Sequence, residues 1–130
     1  PLAVGDATAE EVAQVIDTLW GGPETLIVVS SDLSHYMGYA DAQAIDRSTA
    51  QAIVDLHSNV SHEQACGGTP VNGLALAAAR RHLKAELIDL RNSGDTAGDK
   101  AREAFFRQAL EHASTLAVQQ CLDCRRTQRN

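Results

Sequence analysis

The chain is poor in aromatic and basic residues. Aromatic side chains make up only 4% of its 130 residues, and the formal net charge is −6. Binders of single-stranded nucleic acid need aromatic platforms on which bases stack, and binders of nucleic acid or anionic membranes in general need a basic face. The composition therefore argues against both kinds of partner. We interpret the short basic stretch at 125–129 as a solvated chain end.

Long apolar runs and a disulfide framework are also missing. No apolar stretch approaches the ~20 residues that span a bilayer, and the N-terminus lacks the pattern of a signal peptide. Three cysteines at irregular spacing indicate a reducing compartment, which we expect to be the cytoplasm. The Cys121–Cys124 pair is too small a set for a zinc site, which needs four ligands.

What the sequence does contain is an alternation of strand-like and helical segments. Thr25–Ser31 is a continuous β-branched apolar run, and Ala85–Leu90 is a second candidate strand. Helical spacing of apolar residues follows a Thr8–Glu11 capping box, and it also follows a helix start with Thr69 as the N-cap and Pro70 at the first helical position. The same spacing recurs over 44–56 and over 101–120. The predicted fold class is α/β, with a largely parallel or mixed sheet flanked by helices.

The most reactive cluster follows the first predicted strand. In α/β sheets, ligands bind beyond the carboxyl ends of the strands, and Asp32 and His35 come directly after Thr25–Ser31. A carboxylate that accepts a hydrogen bond from an imidazole fixes its tautomer, which suits a general base or a metal ligand. The alternative is a helix-capping turn with a surface histidine.

Two further places carry candidate chemistry. Cys66 comes just before a predicted helix start, where the helix dipole lowers the pKa of a thiol. It can be a nucleophile with His35 or His62 as its base. The alternative is a small buried cysteine that only packs beside the glycines at the helix start. The polar segment 92–100, predicted to be a loop, contains Asp95 and Thr96. Its side chains suit a divalent cation, a substrate hydroxyl or a solvated turn.

Four motifs, in order and at similar spacing, resemble the C-terminal half of the Memo-like family, whose bacterial and archaeal members are called AmmeMemoRadiSam system protein B. They are VVSSDLSHY, AIDRSTAQAI, ACGGTPVNGL and LRNSGDTAGD. The resemblance runs from Pro1 to about Lys100. The predicted organisation is therefore a Memo-like C-terminal half at 1–100, followed by an amphipathic helix and basic tail at 101–130 that depart from the family pattern.

The resemblance implies a fold similar to class III extradiol dioxygenases, which bind non-haem iron and insert O₂ into catechol-type rings. It implies that His35 is a base or hydrogen-bond donor near the metal, with Asp32 as its partner. The implied pocket residues are Ser31, Cys66, Gly67, Thr69, Asp95 and Thr96. The implied cofactor is Fe(II) or another divalent metal in a full-length chain, while the metal ligands of this chain stay unknown.

The chain also departs from the family. The first half of the family pattern, with its P-H-x-G-Y motif and metal-ligand histidines, has no counterpart here. The matching positions do not assemble a three-ligand iron site, so we expect the chain to be incomplete and inactive alone.

Three hypotheses stay open. They are a metal-dependent oxidoreductase, a non-catalytic binding or scaffold module with a vestigial pocket, and a cysteine hydrolase or transferase using Cys66. Expected partners are a small-molecule substrate or a peptide, and a second copy of the chain bound through an exposed sheet edge or the 101–120 helix.

Overall fold

The computed structural model describes residues 1–97, whose regular secondary structure consists of helices. These are α1 (Ala9–Leu19), α2 (Tyr39–Val54), α3 (Gly68–Arg80) and α4 (Ser93–Ala97). None of the helices in this part of the chain is both long and apolar enough to cross a membrane. The predicted 101–120 helix, the basic tail and Cys121–Cys124 lie outside the described residues.

The start of α1 is the capping box that the sequence predicts. The Thr8 hydroxyl accepts a hydrogen bond from the Glu11 N–H at 3.2 Å, and the Thr8 N–H donates to Glu11 Oε2 at 2.8 Å. These two bonds satisfy backbone donors that have no partner within the helix. The helix ends before the Gly21-Gly22-Pro23 stop, and it buries Ala13 and Ile16.

Helices α1 and α3 pack closely because a glycine lies between them. A Cβ atom added to Gly73 would lie 2.4 Å from Val12 Cγ1 and 3.0 Å from the Ala9 carbonyl oxygen. A side chain at this position would therefore force the two helices apart. Ala77, fully buried on α3, continues the small-residue contact with α1.

Ion pairs tie the C-terminal end of α3 to α1. Arg80 donates to Glu10 at 2.7 Å and to Asp17 at 3.0 Å. Arg81 also pairs with Asp17, and its guanidinium lies 3.9 Å from the centre of the Trp20 ring. Such cation–π contacts are favourable, and exposed ion pairs contribute modestly.

These ion pairs predict acid sensitivity of the α1–α3 contact. Hydrogen bonds from Arg80 and Arg81 hold the pKa values of Glu10 and Asp17, respectively, below their ordinary range. A carboxyl whose pKa is lowered by folding stabilises the fold above its unfolded pKa, and this stabilisation is lost as the pH falls through the folded value. We therefore expect thermal stability to hold between pH 7 and about pH 5 and to fall in more acidic solution.

The control is a Glu10→Gln/Asp17→Asn double variant. It should unfold at a lower temperature than the wild type at neutral pH, and the difference should narrow as the solution becomes acidic. A difference that stays constant in acid would show that these carboxylates do not link pH to stability.

The α/β expectation is wrong for the described residues. Thr25–Ser31 and Ala85–Leu90 form no strand, and residues 1–97 contain no sheet, so the proposed sheet edge is absent there as well. A strand requires a neighbour with which to exchange N–H···O=C bonds. Each segment has apolar side chains of the expected type, but neither segment pairs with another strand within the described residues.

The segment 25–31 nevertheless has two different sides. Ile27 packs against a core cluster between α1 and α3, and Val29 packs against a second cluster that contains Leu33. The intervening Leu26 and Val28 are 65% and 64% exposed. One side of the segment therefore crosses both core clusters, and the other side is an uncovered apolar surface.

Candidate functional site

Asp32 and His35 lie in the irregular connection that precedes α2. Leu33, between them, is 2% exposed and anchors the connection in the core. The Ser34 N–H donates to Asp46 Oδ1 on α2 at 3.0 Å, and Asp46 is itself buried. The connection is thus held at two points, while Asp32 and His35 are half-buried at its surface.

The residues that lead into α3 are bonded to the same connection. The Cys66 N–H donates to the Asp32 carbonyl at 3.1 Å, and the Asp32 N–H donates to Cys66 Sγ at 3.3 Å. The Ser31 hydroxyl accepts a hydrogen bond from the Gly67 N–H at 2.9 Å. These three hydrogen bonds therefore hold Asp32 and Cys66 side by side although they are distant in the sequence.

Asp32, His35 and Cys66 form one group of potential ligands. A carboxylate oxygen, an imidazole nitrogen and the thiol sulfur all lie within 4.8 Å of one another. Cys66 is exposed and carries a free thiol. The carboxylate, imidazole and thiolate of such residues are donors that bind zinc and other transition metals. The donor types present therefore suit the divalent metal that the resemblance implies.

Two glycines permit this close approach. A Cβ atom on Gly67 would lie 2.7 Å from Ser31 Cβ and 3.0 Å from the Ser30 carbonyl oxygen. A Cβ atom on Gly68 would lie 2.9 Å from the Val60 carbonyl oxygen. A side chain at Gly67 would therefore separate the two segments that carry the group, and a side chain at Gly68 would push the start of α3 away from Val60.

The prediction that Thr69 is the N-cap of the third helix is wrong. Helix α3 begins at Gly68, and its N-cap is Gly67, which makes no side-chain cap. The Thr69 hydroxyl lies 3.3 Å from His62 Nε2, and the other ring nitrogen of His62 lies 3.3 Å from the Cys66 carbonyl oxygen. Both nitrogens of His62 are thus engaged away from the thiol, so His35 is the imidazole that joins the Cys66 group.

Tyr36 borders the group in an unusual conformation. Its φ angle is 58°, in the left-handed region that bulky residues seldom adopt. Its side chain is 75% exposed, and its ring centre lies 5.8 Å from that of His35. Such conformations concentrate at functional sites. The phenol ring therefore forms an exposed flat surface beside the candidate ligands.

With this geometry established, comparison with known proteins decides the family. A family model described as "Memo-like protein" matches residues 1–104. The chain belongs to the Memo-like family. No solved structure shows a significant match to it.

Curated relatives of this Memo-like chain are named "MEMO1 family protein". The one from Aquifex aeolicus is 34% identical over 91 residues, which cover 64% of this chain and 34% of the relative. The one from Methanococcoides burtonii is 31% identical over 97 residues, covering 68% of this chain and 36% of the relative. A relative from Methanosarcina mazei is 27% identical, covering 77% of this chain and 42% of the relative. The matched residues thus cover less than half of the length of each of these relatives.

Asp95 of the Memo-like chain has a different environment from Asp32. The stretch predicted to be a loop begins with helix α4, to which Asp95 and Thr96 belong. Asp95 accepts hydrogen bonds from the Tyr39 hydroxyl and from the Asn92 N–H, the latter at 3.0 Å. It is not among the residues that converge on Asp32, and it ties α4 to the start of α2 instead.

Two buried polar residues support the site and were missed in the sequence. Asp46 is buried on the same side of α2 as Thr49 and Ile53. An acidic residue at helical spacing from these positions was the sequence signal that could have identified it as a buried hydrogen-bond acceptor. Asn72 is buried on α3, where its side-chain amide donates to and accepts from the backbone of Val60, both at 2.9 Å. No pattern in the sequence identifies the partner of Asn72.

Proposed function

We propose that this Memo-like chain forms one wall of a metal-dependent, dioxygenase-like oxidoreductase site and is inactive by itself. The observation that carries the proposal is the convergence of Asp32, His35 and Cys66 within 4.8 Å. A divalent metal such as Fe(II), held there, would supply the means to activate O₂ for insertion of both oxygen atoms into a catechol-type ring.

The surrounding residues would bind and orient the substrate. The exposed Tyr36 ring offers an aromatic surface next to His35, on which a planar ring can pack in an offset or edge-to-face arrangement.

The exposed Cys66 thiol needs a reducing environment to stay free, which favours the cytoplasm as the location of the protein.

The segment that leads into the site has an open apolar side. Leu26 and Val28, which share that side, are about two-thirds exposed. Large exposed apolar patches mark interaction surfaces. Because the chain spans only 34% to 42% of its relatives, we propose that polypeptide equivalent to the rest of a family-length chain packs here and completes the pocket.

The test combines this chain with the part of the Aquifex aeolicus relative that it does not match, produced as a separate polypeptide. Complex formation is measured by light scattering after size-exclusion chromatography. Oxygen uptake is measured with Fe(II) and a panel of catechols. We expect neither polypeptide alone to consume oxygen and the complex to do so. The Leu26→Ser/Val28→Ser variant should prevent the complex, whereas Leu19→Ser, at an apolar position on α1 that is 55% exposed, should not.

Each alternative gives a distinct result. A complex that forms without oxygen uptake would favour the binding or scaffold hypothesis over the oxidoreductase. If this chain instead self-associates through Leu26 and Val28, the apolar side binds a second copy of the chain. That result would contradict the proposal that the rest of a family-length chain packs there. Oxygen uptake by this chain alone would contradict its incompleteness.

A further inference from the structure

We propose that the segment 101–120 binds the exposed apolar residues Leu87 and Ile88 of its own chain and covers them. The inference goes beyond the proposed function, because it concerns a contact within one polypeptide. It needs neither the metal nor a second protein, so the two proposals stand or fall separately.

Leu87 and Ile88 lie in the irregular segment between α3 and α4. The later Leu90 packs against the core cluster that contains Leu33, which fixes that end of the segment. Leu87 and Ile88 are instead 41% and 70% exposed. Two large apolar side chains that are adjacent and exposed to water favour any contact that removes them from it. The segment therefore offers a small apolar surface that is anchored to the core at one end.

The segment 101–120 has an apolar stripe that requires such a surface. A stripe at helical spacing predicts a helix that buries one of its faces against other apolar side chains. The family model matches only as far as residue 104, so the stripe lies outside the part of the chain that the family pattern covers. Its members are Phe106, Ala109, Leu110, Ala113 and Leu116.

The short connection favours this occupant over a second copy of the chain. Twelve residues separate Ile88 from Ala101, and five of them form α4. Helix α4 is about 7.5 Å long, and the other seven residues span at most about 25 Å. A connection of this length gives an effective concentration in about the millimolar range. At micromolar protein concentrations the chain's own segment therefore reaches Leu87 and Ile88 before a second copy does.

Charge favours the same contact. Residues 1–99 contain fourteen acidic and five basic side chains, whereas residues 100–130 contain six basic and three acidic ones. Glu86, next to Leu87, is exposed and forms no ion pair within residues 1–97. Arg102 comes four residues before Phe106, and residues four apart share one face of a helix. The predicted helix therefore brings a cation along with its apolar stripe to a surface bordered by a carboxylate.

The experiment is hydrogen exchange of the full chain, followed by mass spectrometry at two protein concentrations. We expect the amides of 101–120 to exchange at least about 10-fold more slowly than those of an unstructured chain. The Leu87→Ser/Ile88→Ser variant should raise their exchange rate by about 10-fold or more, because the stripe loses its apolar partner. Both substituted positions are exposed, so the amides of α1 and α3 should keep their wild-type rates.

The matched control is Leu26→Ser/Val28→Ser, which makes the same kind of change at two other exposed apolar positions. It should leave the exchange of 101–120 unchanged. Exchange of 101–120 at the rate of an unstructured chain in the wild type would overturn the inference. So would protection that persists in Leu87→Ser/Ile88→Ser, or equal acceleration in both double variants. Protection that increases with protein concentration would show that a second copy is the occupant, and it would also overturn the inference.

Discussion

Replacing Asn72 with alanine is expected to lower the free energy of unfolding by about 2–4 kcal/mol. The Asn72 side chain forms two hydrogen bonds of 2.9 Å with the N–H and C=O of Val60, and both residues are buried. Alanine would leave two buried backbone groups without partners, each costing about 1–3 kcal/mol, and its better helix propensity would offset only about 0.5 kcal/mol. Urea denaturation followed by circular dichroism measures the change.

Asn59→Ala is the matched control for this loss. Asn59 is adjacent to Val60 and exposed, so its replacement should change stability by no more than about 0.5 kcal/mol. Val60 belongs to the same core cluster as Leu33, which anchors the connection carrying Asp32 and His35. Equal effects at Asn72 and Asn59 would show that the buried amide does not hold this part of the core together.

Replacing Gly67 with alanine is expected to damage both the fold and the site. The new Cβ would meet Ser31 Cβ at 2.7 Å and the Ser30 carbonyl oxygen at 3.0 Å, and neither of these atoms is the end of a flexible side chain. Overpacking of this kind costs about 1–3 kcal/mol. Because the relief must come from separating Ser31 from α3, the variant should also lose metal affinity at Cys66 while the helices remain.

Gly38→Ala provides a matched control because Gly38 is also a glycine N-cap, of α2. The nearest atom to a Cβ there is Asp41 Oδ2 at 3.7 Å, an ordinary contact. Both substitutions place alanine at an N-cap, and they differ in the space available. Stability and metal affinity that fall equally in the two variants would contradict the steric account of Gly67.

The helices were the most predictable part of the fold because their signals are local. The Thr8–Glu11 capping box and the glycine stop after α1 depend on residues within a few positions of one another, and the structure contains both. Helix starts that depend on tertiary contacts were less predictable. The third helix begins at Gly68 instead of at a Thr69 cap, because Thr69 contacts His62 and the glycines face Ser31 and Val60.

The α/β fold class could not be decided from the segments alone. Thr25–Ser31 has the composition of a buried strand, and its side chains do alternate between the core and solvent. Sheet formation, however, is a property of at least two segments, and residues 1–97 supply no partner strand for this one. Leu26 and Val28 are about two-thirds exposed, so they lie on the side of the segment that faces solvent. The composition of the segment does not show which side that is.

The candidate site was predicted in part. Asp32 and His35 were grouped because they follow a predicted strand within the Memo-like motifs. Cys66 was considered either as a pocket residue or as a nucleophile with His35 or His62 as its base. The contact of Cys66 with Asp32 depends on two hydrogen bonds across 34 residues of sequence, one from the Cys66 N–H to the Asp32 carbonyl and one from the Asp32 N–H to Cys66 Sγ. No local pattern specifies them. Asp95 was grouped with the pocket, but its hydrogen bonds run to Tyr39 and Asn92.

The most direct test of the Asp32–His35–Cys66 site is X-ray absorption at the zinc edge, using the zinc-loaded chain in the Cys121→Ser/Cys124→Ser background. We expect one sulfur ligand at ~2.3 Å with nitrogen and oxygen ligands at ~2.0–2.2 Å, and we expect Cys66→Ser to remove the sulfur. A zinc ion coordinated only by nitrogen and oxygen in the background protein would show that Cys66 does not bind the metal.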